Sequence, residues 1–457
     1  MSRKDLRDFV RMIRLLCLVA LRNSERRDWI LDTQEQYNQF VNTSFLKSVE
    51  PVVVGRASGA EIYGTDNKTY LDCFAGISVV NTGHVHPRVA EAAKAQIDRL
   101  IHASSYVYYV PTVGELAEVL ARITPGALQK TFFCNSGAEA IEGALRLSKV
   151  STGRREVISL QMAFHGRTYA TLSLTGNMAR KTRGGPYMSG VAFAPAPYCY
   201  RCPFNQKPES CSLACADAVE DTIRYQTSGD VAAFVVEPVL GEAGIVPLPA
   251  GYLKRVKQIL ERHGIQLVVD EVQTGFGRTG KMFGVEHHPD VEPDIMAMAK
   301  GIAAGFPLGA FIAPAAIADS FKPGEHLSTF GGNPVSCAAA IANIDVLQQE
   351  RLVEHAAELG AWALDELNKL KERISLIGDV RGHGLMIGIE LVKDRESKQP
   401  AGVEAAKVRA LCREAGVLVG VGGQDGNVLR LQPPLVISKE QLARAIQAVG
   451  AALQQCK

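Results

Sequence analysis

The sequence predicts an α/β fold, with a large domain on a mostly parallel, doubly wound sheet and a smaller α+β domain. Two observations predict it. From about residue 85, short apolar runs alternate with helical patterns. Continuously apolar strands are covered on both faces, and their alternation with helices is that of a parallel sheet. From about residue 335 the alternation stops, and a long helical stretch leads into further strand-like runs.

The elements follow in order. Residues 130–135 (KTFFCN) read as a strand, and residues 136–150 (SGAEAIEGALRLSKV) as the helix after it. Residues 156–160 (EVISL) and 230–239 (DVAAFVVEPV) are the next strands. Residues 250–264 form an amphipathic helix ending on Gly264, a residue suited to a helix C-terminus. Residues 265–272 (IQLVVDEV), 293–301 (PDIMAMAKG) and 307–313 (PLGAFIA) read as three more strands. Residues 333–372 make one or two long helices, and residues 376–392 and 416–437 supply strands of the smaller domain. No internal repeat or low-complexity tract is visible.

Composition narrows the function. The chain has 457 residues, 47% hydrophobic and 21% charged, with a net charge of +2, which gives no electrostatic argument for nucleic acid or an anionic membrane. Ten cysteines are scattered, most of them in apolar contexts, as in a reduced cytoplasmic protein. Residues 1–36 mix basic and apolar side chains. Their apolar run, Leu15 to Leu21, is too short to span a bilayer, and Arg22 closes it without a cleavage site. Asp5, Asp8 and Asp28 argue against a transit peptide. The expectation is a helical or poorly packed extension.

Ligands of open α/β sheets bind outside the carboxyl ends of the strands. After KTFFCN, Ser136, Gly137 and Ala138 open a helix, whose free N–H groups suit an anion. Ser136 also reads as an ordinary N-cap supported by Glu139. After EVISL come Phe164, His165 and Arg167: a ring to stack on, an imidazole, and a fork for a carboxylate. Glu237 and Glu242 follow the next strand, as an acid–base pair or as partners for arginine. Asp270 ends a strongly apolar strand, where it would hold a metal or a protonated heterocyclic nitrogen. Lys300 lies in an apolar, small-residue stretch, either snorkelling to solvent or held uncharged as an amine nucleophile. An anion cradle, a stacking ring, a buried aspartate and a lysine at successive strand ends are what pyridoxal 5′-phosphate requires.

The chain resembles the class III (ω-amino acid) aminotransferases of the fold-type I pyridoxal phosphate superfamily from about residue 37 to the C-terminus. The resemblance rests on NTGHVHP, NSGAEAIEGALR, FHGRT, EPVLGEAG, VVDEVQTGFGRTGKMF, AKGIAAGFPLGA, STFGGNP and NVLRLQPPL. The run DEVQTGFGRTG with the later KG and GNP is its most specific part.

The resemblance implies a large cofactor-binding domain over residues 85–334 and a small domain from residues 37–84 and 335–457. It also implies a homodimer with shared active sites, or a tetramer. Lys300 would be the Schiff-base lysine and proton shuttle of a ping-pong transamination through an internal aldimine. Asp270 would partner the pyridinium nitrogen beside His165, and Gly137 and Ala138, with Ser136, would hold the phosphate. Phe164 and Val272 would sandwich the ring, and Gln273 would approach its 3′-oxygen. Thr329 would reach the phosphate of the neighbouring subunit. Gly301, Ala303, Ala304 and Gly305 would leave room for cofactor, substrate and the facing subunit.

Within the family, the enzymes of the 4-aminobutyrate type look most similar. They accept one substrate without a carboxylate on the reacting carbon and one with it. The resemblance implies that Glu242 masks Arg430 and releases it when an α-carboxylate arrives, while Arg167 holds the distal carboxylate and Ile77 lines the pocket. FHGRT and EPVLGEAG suit acetylornithine, ornithine or alanine–glyoxylate aminotransferases as well, and a racemase or epimerase on the same fold needs the same Lys300 and Asp270. Phe164 and Leu240 stand where the family often has an aromatic hydroxyl and a glutamine. Cys199, Cys202, Cys211 and Cys215 have a spacing that suits zinc or an iron–sulfur cluster, or else a reduced or disulfide-stapled loop.

Overall fold

A computed structural model of the chain describes residues 32–42 and 49–456. The expectation for residues 1–36 falls mostly outside them. Two compact units divide the chain: Met1–Arg56 with Tyr63–Lys68, and Ala57–Ile62 with Thr69–Lys457. In the first, a helix at Thr33–Phe40 is exposed along its described length. It starts at a reciprocal cap, in which Asp32 accepts the Glu35 N–H at 2.8 Å and Glu35 accepts the Asp32 N–H at 3.0 Å.

The second unit is built on a seven-stranded sheet. Its strands are β1 (Lys130–Cys134), β2 (Glu156–Leu160), β3 (Val191–Ala194), β4 (Val231–Val236), β5 (Gln266–Asp270), β6 (Ile295–Met298) and β7 (Gly309–Ala313). Their spatial order is β1-β7-β6-β5-β4-β2-β3. Neighbours pair in parallel except β7, which runs antiparallel to both β6 and β1. The reason lies in the β6–β7 connection, which holds only a short turn, Lys300–Ile302. A parallel crossover needs a dozen or more residues, so the chain turns straight back.

Side chains of successive strand residues enter two different cores. Phe234, Val236, Leu267, Val269, Met296 and Met298 face one; Ala233, Val235, Val268, Ile295 and Ala297 face the other. Both faces of the sheet are therefore covered. Helix α1 (Gly137–Thr152) covers the second face, and α2 (Tyr252–His263), ended by left-handed Gly264, packs on the first.

The long helical stretch is two helices, α3 (Pro334–Gln349) and α4 (Leu352–Arg373). Arg351 takes a left-handed conformation (φ 53°) and breaks them apart. Beyond them, β8 (Ile377–His383), β9 (Met386–Leu391), β10 (Gly420–Gly422) and β11 (Val428–Leu431) make a four-stranded antiparallel sheet ordered β8-β9-β11-β10. A last helix, α5 (Lys439–Gln454), begins at a Ser438–Gln441 capping box. Strand Thr69–Asp72 pairs in parallel with Val417–Leu418, so residues far apart in the chain share one sheet. Among the described residues no helix is long and apolar enough to cross a membrane.

Candidate active site

The carboxyl ends of β1, β2, β4, β5 and β6 open into one cavity of about 390 Å³. Ser136, Gly137, Ala138, Phe164, His165, Arg167, Asp270, Val272, Gln273 and Lys300 all line it.

At the end of β1, Ser136 caps α1 by accepting the Glu139 N–H at 3.2 Å. Glu139 turns back to accept the Asn135 N–H at 2.6 Å. The hydroxyl thus serves the cap, while the N–H groups of Gly137 and Ala138 have no partner among the described residues. They point out of a helix start, where an anion is favoured. Gly137 packs closely on Val272: a Cβ there would lie 2.6 Å from Val272 Cγ1, so one of the two would have to shift.

At the end of β5, Asp270 is buried. Its Oδ2 meets His165 Nδ1 at 2.8 Å and its Oδ1 accepts the Val272 N–H at 3.0 Å. Burial pushes the His165 imidazole down, but the hydrogen bond and charge of Asp270, with Glu237, outweigh it and raise the ring above its ordinary value. Glu271, next in sequence, turns into the core. There it accepts the N–H groups of Gly284 and Val285 at 2.9 and 2.7 Å, and burial pushes it up to about 7.

Glu237 ends β4 and is also buried. It accepts the N–H groups of Phe164 (2.9 Å) and Gly241 (3.0 Å), so it fixes the turn that carries the aromatic ring. Burial pushes its carboxyl up to about 7. The two glutamates do not form an acid–base pair. Glu242 instead accepts Arg430 Nη1 at 2.9 Å and Arg180 Nη2 at 3.2 Å. Burial works against its charge, but Arg430, Lys300 and Arg180 hold it down to about 2. Arg430 has room in β11 because its guanidinium lies over Gly422 of β10, where a Cβ would fall 2.8 Å from its Nε.

Lys300 follows β6 in a short turn with a left-handed backbone (φ 45°). Its side chain is half-buried in the cavity and makes no hydrogen bond or ion pair among the described residues. Burial lowers its amine, against the opposing charges of Glu242, Asp270 and Glu237. Lowering of the amine favours its uncharged, nucleophilic form.

The remaining sequence-predicted residues are placed as follows. Arg167 is exposed at the cavity wall, its guanidinium carbon 5.8 Å from the Phe164 ring centre. Ile77 and Thr329 are exposed and do not line the cavity. Ile77 also has a left-handed backbone (φ 69°), an uncommon state for a β-branched residue. Gly301, Ala303, Ala304 and Gly305 do not line the cavity either. Gly301 is small because Asn81 approaches it, its Nδ2 falling 2.5 Å from where a Cβ would be.

Cys199, Cys202, Cys211 and Cys215 are free thiols that line a separate pocket. Among the described residues no group of three or more His, Cys, Asp or Glu side chains is gathered to hold a metal, so of the two readings of this spacing the zinc or iron–sulfur site is not shown. Cys215 is buried in α-helix Ala214–Gln226, where burial first, then Cys211 and Cys199, pushes its thiol up to about 12, while Cys199 is exposed. Sequence reasoning missed Arg180 altogether, since nothing in its neighbourhood marks it.

A family described as aminotransferase class-III matches residues 45–453. The chain belongs to that family. It is 40% identical over 92% of its length to 94% of a leucine/methionine racemase from Thermococcus litoralis. It is 42% identical over 88% of its length to 93% of an acetylornithine aminotransferase from Methanothermobacter thermautotrophicus. It is 38% identical over 92% of its length to 97% of a probable 4-aminobutyrate aminotransferase from Bacillus subtilis. Among solved structures, an (S)-enantioselective omega-transaminase from Thermomicrobium roseum is similar with a TM-score of 0.87 and 35% identity, covering 93% of this chain and 99% of that one. Class-III aminotransferases are expected to use pyridoxal phosphate.

The residues present fit that cofactor. The paired N–H groups at the start of α1, the half-buried lysine and the buried Gln273 Nε2, the last two without a partner among the described residues, all line one cavity with Asp270.

Proposed function

We propose that this aminotransferase moves the amino group of an ω-amino acid resembling 4-aminobutyrate to 2-oxoglutarate or a similar oxo acid. The observation that carries the reading is the 2.9 Å ion pair of Glu242 and Arg430, whose charges both act on Lys300. An enzyme for these two substrates must accept a reacting carbon without a carboxylate and then one that bears it. Glu242 on Arg430 suits the first, and an α-carboxylate in place of Glu242 suits the second. Arg167, exposed beside Phe164, would hold the distal carboxylate of both.

Bound pyridoxal phosphate would supply an aldehyde and an electron-withdrawing ring. Gly137 and Ala138 would bind its phosphate, with Ser136 holding the helix start in place. Phe164 and Val272 would lie on the two ring faces, and Gln273 near its 3′-oxygen. Asp270, oriented by His165, would keep the ring nitrogen protonated. Lys300 Nζ would act as nucleophile and then take up and return one proton, a role that lowering of its amine by burial favours. Thr329 stands exposed between the exposed apolar residues Leu327 and Phe330. A second copy covering them would bring Thr329 to its partner's phosphate, which supports a homodimer with shared sites.

The test is to incubate the cofactor-loaded protein with 4-aminobutyrate and 2-oxoglutarate. Glutamate is expected in equal amount to the aldehyde product. The racemase relative supports a second reading on the same residues. Racemisation of a neutral amino acid without glutamate formation would replace the first reading with the second. A panel of acetylornithine, ornithine and alanine as donors, with glyoxylate and pyruvate as acceptors, ranks the remaining substrates.

A further inference from the structure

Glu242 is held by two arginines, one on each oxygen: Arg430 Nη1 on Oε1 at 2.9 Å and Arg180 Nη2 on Oε2 at 3.2 Å. The two arginines are anchored differently. Arg430 is buried (6% side-chain exposure), donates also to the Val421 carbonyl at 3.0 Å, and lies with its guanidinium carbon 5.1 Å from the Phe74 ring centre. Arg180 is a third exposed (33%), and Glu242 is its one side-chain partner among the described residues. Its backbone is fixed in the turn Met178–Arg180, where the Asn177 side chain accepts the Ala179 N–H at 2.9 Å. It comes from a different part of the chain than Arg430, on the opposite oxygen.

We propose that Arg180 is a specificity-determining positioning residue, which keeps Glu242 paired while Arg430 is occupied by a substrate α-carboxylate. This rests on the reading that Glu242 releases Arg430. The physical argument is one of charge. A mostly buried carboxylate that loses its only hydrogen-bonded cation is left poorly compensated, and that state is unfavourable; Lys300 acts on Glu242 by charge but makes no ion pair with it. A carboxylate with a cation on each oxygen loses one and keeps the other. Arg180 therefore lowers the cost of opening Arg430 and biases the enzyme toward substrates bearing an α-carboxylate, without touching them itself.

The test compares half-reactions of the cofactor-loaded enzyme with L-glutamate and 4-aminobutyrate, two donors that differ by the α-carboxylate alone. The readout is the ratio of their half-saturation concentrations, glutamate over 4-aminobutyrate. Arg180→Ala is expected to raise that ratio about ten-fold, Arg180→Gln to raise it similarly, and Arg180→Lys to restore most of it. In a Glu242→Gln background, Arg180→Ala should change the ratio less than about two-fold, because no carboxylate remains to be kept. An equal rise for both donors would mean that Arg180 binds the distal carboxylate, and would overturn the proposal. So would an unchanged ratio, or the same effect with Glu242→Gln in place. If the wild type reacts with α-amino acids but not with ω-amino donors, the functional reading falls. The comparison with and without Glu242, on whichever α-amino acid is accepted, then still decides the role of Arg180.

Discussion

Asp270 Oδ2 and His165 Nδ1 are 2.8 Å apart in a part of the site closed to solvent, and His165 Nε2 has no hydrogen-bond partner among the described residues. The imidazole thus has one polar duty visible here, which is to hold the aspartate. Replacing His165 by Ala leaves a buried carboxylate oxygen unpaired. Such a loss costs about 1–3 kcal/mol, or roughly 5- to 150-fold in an equilibrium. We expect a loss of that size in cofactor affinity, in kcat, or shared between them, measured by cofactor titration and steady-state kinetics. His165→Asn should recover part of it.

The positions of Asp270, Lys300 and the Ser136–Ala138 helix start were legible in the sequence. They follow from one physical rule, that buried strands read as apolar runs and ligands gather at their carboxyl ends. What an apolar run does not encode is direction. β7 (Gly309–Ala313) reads like its parallel neighbours, and only the short turn at Lys300 shows that it runs back. β3 (Val191–Ala194) is four residues long and carries no period to detect. Arg180 was illegible for another reason. Its meaning lies in a carboxylate 62 positions away, and no local pattern reports that. The four cysteines show the opposite limit, a ligand-like spacing that among the described residues is not gathered into a metal-binding group.

Gly137→Ala tests the anion cradle. The new Cβ would lie 2.6 Å from Val272 Cγ1, so the helix start or Val272 must move. Overpacking of this kind costs about 1–3 kcal/mol. We expect a lower thermal midpoint and weaker cofactor binding, the latter by ten-fold or more. Unchanged affinity would show that this helix start does not hold the phosphate.

Glu242→Gln removes the negative partner of Arg430. The expected result is a lower KM for α-carboxylate substrates and a higher KM for 4-aminobutyrate, each by several-fold. Competing substrates in one reaction give the ratio directly. A change of both KM values in the same direction would contradict the masking role.

The buried carboxyls set the pH dependence of stability. Glu237 titrates at about 7 when folded, above its ordinary 4.5, because burial disfavours its charge. Between those two pH values the folded state holds more protons than the unfolded one. Its contribution therefore favours folding below 4.5, declines as pH rises to about 7, and is flat beyond. Glu271 is raised as well, so Glu237→Gln should lessen the decline without abolishing it. Urea unfolding at a series of pH values measures it. Glu242 behaves in the opposite sense: held down to about 2, it stabilises above 4.5 and loses that effect as pH falls toward 2.

The central claim is that Lys300 holds the cofactor and carries the chemistry. Borohydride reduction of the loaded enzyme, followed by proteolysis and mass spectrometry, reads this directly. The account predicts one modified peptide, with the added mass on Lys300, and its loss together with amino transfer in Lys300→Ala. A covalent adduct on another lysine, or one that persists in Lys300→Ala, would contradict it.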